Sequence, residues 1–281
     1  MKLHADTVLK CAVYAAFLIL LLQNPCPTYA GIPSEATDSE NLPDQEQTDN
    51  ARIHGHFATE LIDAKGNLNN KPYRGGLGLL YRVEYDEWLY SDNSGGLEAG
   101  VWLWQTPNHM QKLGASVQYV PARRAVDNIT RRQASADGVI KYQWRTPDRY
   151  FLYLDYHQDI GDASNGGGAN LFLSRNIIFR QALFDHDCML VPAIGAQWVS
   201  ANRVDYYWGV RPDEATPTQP AYAGREAFTE TARLTGFYII NRSWTAFAGV
   251  QATVFGPGIT DSPIVTRHVT SRGYLGVARV F

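Results

Sequence analysis

The chain has 281 residues, of which 45% are hydrophobic and 12% aromatic, and a formal net charge of −3. That length allows one large domain or two small ones, and so near-neutral a balance gives no argument for nucleic acid as a partner.

Residues 1–30 read as a secretory signal peptide. Lys2 and Lys10 flank its start, an apolar run extends from Ala12 to Leu22, and Thr28-Tyr29-Ala30 places a small residue before a cleavage point between Ala30 and Gly31. A membrane-spanning helix needs roughly 20 apolar residues, more than this run supplies. An uncleaved anchor and a lipoprotein joined through Cys26 are the alternatives. Cleavage removes Cys11 and Cys26 and leaves Cys188 without an intramolecular partner. Stability is then expected from packing or from the bilayer rather than from cross-links. Cys188 is expected to be a small buried apolar group.

Residues 31–70 are expected to form an acidic, mostly disordered periplasmic arm. Up to Asn50 they carry Glu35, Asp38, Glu40, Asp44, Glu46 and Asp49 without a basic residue, and offer too little apolar surface to fold alone. Within Arg52–Asn70 the pattern is ambiguous, and Phe57–Ile62 fits either a short helix or an extra strand.

From Gly75 onward a period-2 alternation begins and hardly stops. Leu77, Leu79, Tyr81, Val83 and Tyr85 alternate with Gly78, Leu80, Arg82, Glu84 and Asp86; Tyr150, Leu152, Leu154 and Tyr156 alternate with Phe151, Tyr153, Asp155 and His157. Similar segments recur at Leu97–Trp104, Leu113–Tyr119, Ile140–Arg145, Gly167–Ser174, Ile177–Phe184, Cys188–Ser200, Arg203–Arg211, Thr229–Ile240, Ser243–Phe255 and His268–Phe281. Short links (Thr106–His109, Pro147-Asp148, Arg175-Asn176, Ala201-Asn202, Asn241-Arg242) alternate with longer ones rich in Gly, Pro and charge, such as Ala122–Ala136, Pro212–Arg225 and Gly256–Arg267. Short links at one end and long ones at the other mark a membrane barrel, with an even strand count placing both termini in the periplasm. The pattern predicts an all-β fold over residues 71–281, a transmembrane antiparallel β-barrel of about twelve strands. Aromatics near strand ends, among them Tyr85, Trp88, Trp144, Tyr156, Trp198, Tyr238 and Trp244, fit interfacial girdles in contact with outer-membrane lipid, and Phe281 supplies a terminal aromatic.

Several stretches resemble the MipA/OmpV family of outer-membrane proteins, the MltA-interacting proteins. Asp205-Tyr206-Tyr207-Trp208-Gly209-Val210 is similar to the family's Tyr-Tyr-x-Gly-Val stretch; Tyr222-Ala223-Gly224 follows, and Thr260-Asp261-Ser262-Pro263-Ile264-Val265 resembles its Asp-Ser-Pro-Ile-Val loop. Lys71-Pro72-Tyr73-Arg74-Gly75 resembles the stretch leading into its first strand. Two departures are Arg279, where Tyr is usual, and Gly258-Ile259 before Asp261. The resemblance implies a scaffold linking a lytic murein transglycosylase to a murein synthase. Other members are described as immunogenic or adhesive surface proteins or small-solute pores. It implies no catalytic residues.

Inward strand faces are expected to carry Arg82, Glu84, Asp86, Glu98, Lys141, Arg145, Asp155, His157, Arg180, Arg203, Asp205, Arg211 and Arg233 as lumen-lining charges. Both signs are mixed, and Trp102, Trp104, Phe172 and Phe247 are expected to point inward with them, which favours a paired and largely closed interior over a narrow pore. No cofactor or metal site is expected: Asp185-His186-Asp187 reads as a solvated tip of an outer loop, and Gly166-Gly167-Gly168 precedes a strand rather than a helix and is no phosphate cradle. Asn128-Ile129-Thr130 and Asn241-Arg242-Ser243 match glycosylation acceptors only by spacing. For a lipid-modifying enzyme, His157 points inward, and His268 has opposite strand parity to Ser271. The expected function is that of a non-catalytic cell-envelope scaffold for murein-processing enzymes. A narrow passive channel for small solutes is the alternative, and a lipid-modifying outer-membrane enzyme the second.

Overall fold

The computed structural model describes residues 53–65, 78–85, 87–93, 97–123 and 129–280. The Ala30–Gly31 junction, the acidic stretch up to Asn50, Asp86, Asn128 and Phe281 lie outside them. The strands are β1 (Ile53–Lys65), β2 (Gly78–Tyr85), β3 (Leu89–Asp92), β4 (Glu98–Gln105), β5 (Gln111–Val120), β6 (Ser135–Arg145), β7 (Tyr150–Asp159), β8 (Gly167–Arg175), β9 (Ile177–Leu183), β10 (His186–Val199), β11 (Ala227–Ile239), β12 (Trp244–Phe255) and β13 (Val269–Val280). Two short helices, α1 (Ala201–Trp208) and α2 (Pro257–Thr260), lie between strands.

Sequential strands pair antiparallel, and β13 returns to β1 in register from His56↔Val280 to Lys65↔Arg272. The sheet thus closes on itself as a barrel. Of the thirteen strand segments, β8 and β9 are collinear: Ser174 faces Ala193 and Ile177 faces Leu190, both in one unbroken register with β10. The ring therefore has twelve staves.

The predicted number is reached by a different set of strands. The barrel begins at Ile53 and not at residue 71, because β1 supplies the closing stave. A register shift between Glu60 and Ile62 interrupts β1's alternation, which is why a strict period-2 template loses it. The segment Gly76–Tyr90, expected as one strand, folds back on itself as β2 and β3 around a turn where Glu87 has φ 60°. Conversely, Arg175-Asn176 is no turn, and Arg203–Arg211 is not a strand but begins as α1.

Chain order then sorts the connections cleanly. One rim carries the short turns β2–β3, β4–β5, β6–β7, β9–β10 and β11–β12 together with the start of β1 and the end of β13. At the other, the long-link rim, β1, β3, β5, β7, β10 and β12 end and β2, β4, β6, β8, β11 and β13 begin. Asp185-His186-Asp187 accordingly stands on the short-turn rim and not in a long loop.

Polarity is inverted relative to a water-soluble barrel. Leu113, Val117, Ile140, Leu154, Leu171, Val250 and Leu275 stand exposed on the outer wall, while Lys141, Gln143, Asp155, His157 and Thr235 are buried inside. Outward aromatics collect near the two rims: Tyr85, Trp88, Trp104, Trp144 and Trp244 at one, Tyr119, Tyr156 and Phe228 at the other. Strands of about ten residues, tilted, match the hydrocarbon thickness between such belts. Trp104 was expected inside, but a bulge between Trp102 and Trp104 turns it out, 47% exposed. Arg279 also faces outward, its guanidinium 5.7 Å from the centroid of the Trp244 ring, so cation and aromatic share the interface.

β1's role predicts the outcome of truncation. A chain starting at Ala51 is expected to fold and show heat-modifiable gel mobility, whereas one starting at Lys71 lacks the closing stave and is expected to show none.

Candidate functional site

Two features define the interior: a charged network along the lumen face of β2 to β8 and a folded cap over the long-link rim. In the lumen, Arg82 Nη2 lies 2.6 Å from Glu84 Oε1 and Lys112 Nζ 3.2 Å from Glu84 Oε2. Arg82 also approaches Asp92 at 3.9 Å. Tyr90 donates its hydroxyl hydrogen to Glu98 at 2.8 Å, and Lys141 pairs with the same carboxylate while its Nζ sits 4.5 Å above the Tyr90 ring. Trp102, wholly buried, stacks on Tyr90 with centroids 4.8 Å apart. On the adjoining strands β7 and β8, Asn170 Nδ2 donates to both oxygens of Asp155 at 3.0 Å, and His157 Nδ1 lies 3.0 Å from Asp155 Oδ1.

The chemistry of this lumen is pairing. Removing an ion from water costs several kcal/mol unless an opposite charge and hydrogen bonds replace the solvent, and each of these cations lies against a carboxylate. His157 is oriented by a carboxylate, and a Cβ on Gly168 would lie 2.6 Å from its Nε2, so the ring occupies the space that glycine leaves open. Arg145 stacks on Phe151 at 5.6 Å. Arg233 shares the inward parity of Thr235 on β11 and remains exposed, opposite Gln251.

Four other expected lumen charges lie elsewhere. Arg180 is on β9, 50% exposed, bound to Asp187 at 2.7 Å. Arg203, Asp205 and Arg211 belong to the cap, although the Arg203 guanidinium reaches down to Asp137 on β6 at 2.7 Å.

The cap is built around Glu214. Arg132 Nη1 and Nη2 donate to its two oxygens, each at 2.8 Å, with both side chains only 2% exposed. Thr130 donates from its backbone N at 3.0 Å and from its hydroxyl, and Arg211 N donates at 3.1 Å. Arg132 Nε donates to Tyr206 O at 2.9 Å. One carboxylate therefore joins the 121–134 link to the 200–226 link. The 256–268 link is tied in by Ser262 Oγ donating to Trp208 O at 2.5 Å and by Tyr222 donating to Gly258 O at 2.7 Å.

Apolar packing backs these bonds. Val204, one turn before Trp208 on α1, packs with Val199, Ala227 and Ile259; Ile129, Val210 and Ile264 form a second buried cluster. Gly224 is required here: its N donates to Asp205 Oδ1 at 2.7 Å, and a Cβ would lie 2.1 Å from Asp205 N. Gly166, the first of the glycine run, has the same cause. A Cβ on Gly166 would meet Arg203 N at 2.5 Å, where the chain passes beneath α1. A polar cavity of about 240 Å³ remains between Arg132, Ser164, Asn165, Asn202, Asp205, Tyr206 and Arg211.

Three of the four quoted family stretches thus converge on the cap, Lys71–Gly75 lying outside the described residues, and the departure Gly258-Ile259 is absorbed by the cap, Ile259 being 1% exposed. Sequence reasoning missed the roles of Arg132, Thr130 and Glu214, which lie in polar links beside other charges (Arg131, Asp213) with no spacing signal. Thr130, in one of the two triplets that match glycosylation acceptors only by spacing, is committed to Glu214, and Asn241 of the other organises its turn by accepting from Ser243 N and Trp244 N at 2.9 and 3.0 Å.

Arg132's hydrogen bonds hold the Glu214 carboxyl well below the usual carboxylate range, outweighing the opposing effect of burial. A carboxylate depressed in the folded state contributes stability in full above its unfolded value of about 4.3, and the contribution is lost as pH falls further. Cap amides of 201–216 are therefore expected to exchange faster below about pH 4. Glu214→Gln or Arg132→Met leaves one partner buried and uncompensated, at a cost of about 3–5 kcal/mol. Hydrogen exchange of the same amides should accelerate on the order of a hundredfold or more. The double change Arg132→Met/Glu214→Met should cost less than either single change.

The family model described as MltA-interacting protein MipA matches residues 64–281. The MltA-interacting proteins of Escherichia coli (strain K12) and Shigella flexneri are each 28% identical over 193 residues, covering 66% of this chain and 75% of theirs. Among solved structures, the trimer form of Vibrio cholerae OmpT covers 83% of this chain and 100% of its own at 8% identity and a TM-score of 0.40. The NanC porin covers 80% and 99% at 6% identity and a TM-score of 0.40. At these scores the barrel rests on the strand pairing described above. By the match over residues 64–281, the chain belongs to the MipA family of MltA-interacting proteins.

Proposed function

We propose that this protein is a closed, non-catalytic barrel of the outer membrane that serves as a cell-envelope scaffold and holds murein-processing enzymes on its periplasmic side. The observation that carries the reading is how the interior is filled: inward charges of β2, β4 and β6 pair with one another along the wall, and a buried Arg132–Glu214 pair in the cap locks two links together. Charges that satisfy one another leave little field to select a permeant ion. In this reading the short-turn rim and both termini face the periplasm, the long links face outward, and the outer wall meets lipid. The relatives' description as MltA-interacting proteins supports a lytic transglycosylase of that type as partner. The second reading, a narrow passive channel, draws on Arg233, the inward charge of β11 that stays exposed.

Single-channel recording of the refolded mature chain in a planar bilayer separates the two. The scaffold reading expects a silent bilayer for the native chain, steps only after Glu214→Gln, and retention of an MltA-type transglycosylase on the immobilised barrel. Reproducible steps from the native chain that change with Arg82→Ala or Arg233→Ala would overturn the closed interior and favour the channel.

A further inference from the structure

The short-turn rim has a step in it. β7 starts at Tyr150, which pairs with Arg175, whereas the β8–β9 stave continues past that level through Ile177–Leu183. β9 pairs with β10 on one side and, among the described residues, with no strand on the other. A register shift after Phe179 lets β9 span only His186–Leu190 of β10, so at about 3.3 Å per residue this leaves an open edge roughly 16 Å long. An open edge is not tolerated in hydrocarbon, where no water replaces the missing hydrogen bonds. β9 and its tip therefore stand in water, and there they expose Phe179 at 47%, Leu183 at 50% and Phe184 at 82%.

The step is also basic. Arg145 ends β6, Arg149 lies in the following turn, Arg175 pairs with Tyr150, and Arg180 is on β9 itself. The turn is fastened to the step by Asn176 N donating to Arg149 O at 3.0 Å. Arg175 stacks on Tyr150 at 5.0 Å, and Arg180 holds Asp187. Against these four arginines stand Asp148, Asp185 and Asp187, so the corner keeps a positive excess of one.

We propose that β9 is a docking strand: an extended acidic segment of a soluble envelope protein adds to its open edge. The segment's backbone would pair with Ile177–Leu183, its alternate apolar residues would cover Phe179 and Leu183, and its carboxylates would meet the arginine corner. This rests on the scaffold reading and names the surface that serves it. A second copy fits poorly, since barrels in one membrane present β9 in the same sense and like charge to like. Lipid phosphates suit the arginines but offer nothing to the open carbonyls or to Phe184.

The test uses the mature chain in nanodiscs, with heat-modifiable mobility confirming that each variant folds. The probe is a short labelled peptide of alternating Glu and Val. The proposal expects saturable binding by fluorescence anisotropy, new exchange protection confined to 177–183, and no binding of the corresponding Lys-Val peptide. It expects binding at least about tenfold weaker in Arg149→Glu/Arg180→Glu and, independently, in Phe184→Ser. Absence of binding, or binding unchanged in both variants, overturns it. So does loss of binding when phosphatidylglycerol is added to the disc, which would assign the corner to lipid headgroups. An MltA-type transglycosylase that binds the native chain and both variants equally would sink the docking strand and leave the scaffold standing. Peptide binding without transglycosylase binding would do the reverse.

Discussion

Inside a bilayer every backbone N–H and C=O must find its partner within the protein, and the pairing of β13 with β1 is what meets that condition here. Without it the remaining staves would form an open sheet with two bare edges. With it, the outer wall needs only apolar side chains, and the interior is freed from serving as a hydrophobic core. The polar lumen, the aromatic belts and the capped mouth all depend on that closure.

Once the wall is closed, the interior faces an electrostatic problem rather than a packing one. Glu84 answers two cations, Glu98 a cation and a phenol, and Asp155 an amide and an imidazole. At the long-link rim Glu214 does the same for Arg132, Thr130 and the backbone of Arg211. Truncating any of these carboxylates strands its partners in a medium that cannot solvate them. The apolar clusters beneath the cap are small, so its integrity depends more on this hydrogen bonding than on buried area.

The staves from β4 to β8 and from β10 to β13 were legible because their alternation is nearly unbroken. β1 was not, because Phe57 and Ile62 have opposite parity in sequence and only the register shift at Leu61 sets them opposite Arg279 and Leu275, residues of one parity. Arg203–Trp208 was read as a strand because Val204, Tyr206 and Trp208 satisfy a period of two, while Val204 and Trp208 equally satisfy the helical spacing of four. Gly224, Ser262 and Val210 were noticed through family likeness, but their common location needed the fold. Arg132 and Glu214 carry no local signal, since a single charge in a polar link resembles any solvated residue. What makes them a pair is the wall that brings their links together.

That pair has a consequence for quality control of the wall. Arg132 and Glu214 are 82 positions apart, with the staves from β6 to β10 between them. Sliding any one stave by a two-residue step would preserve its inside and outside faces, and neither water nor lipid would penalise it strongly. It would, however, carry the two side chains out of reach of each other. The bidentate contact thus acts as a gauge of cumulative alignment, admitting only the barrel in which every intervening hairpin has been laid down in its native offset.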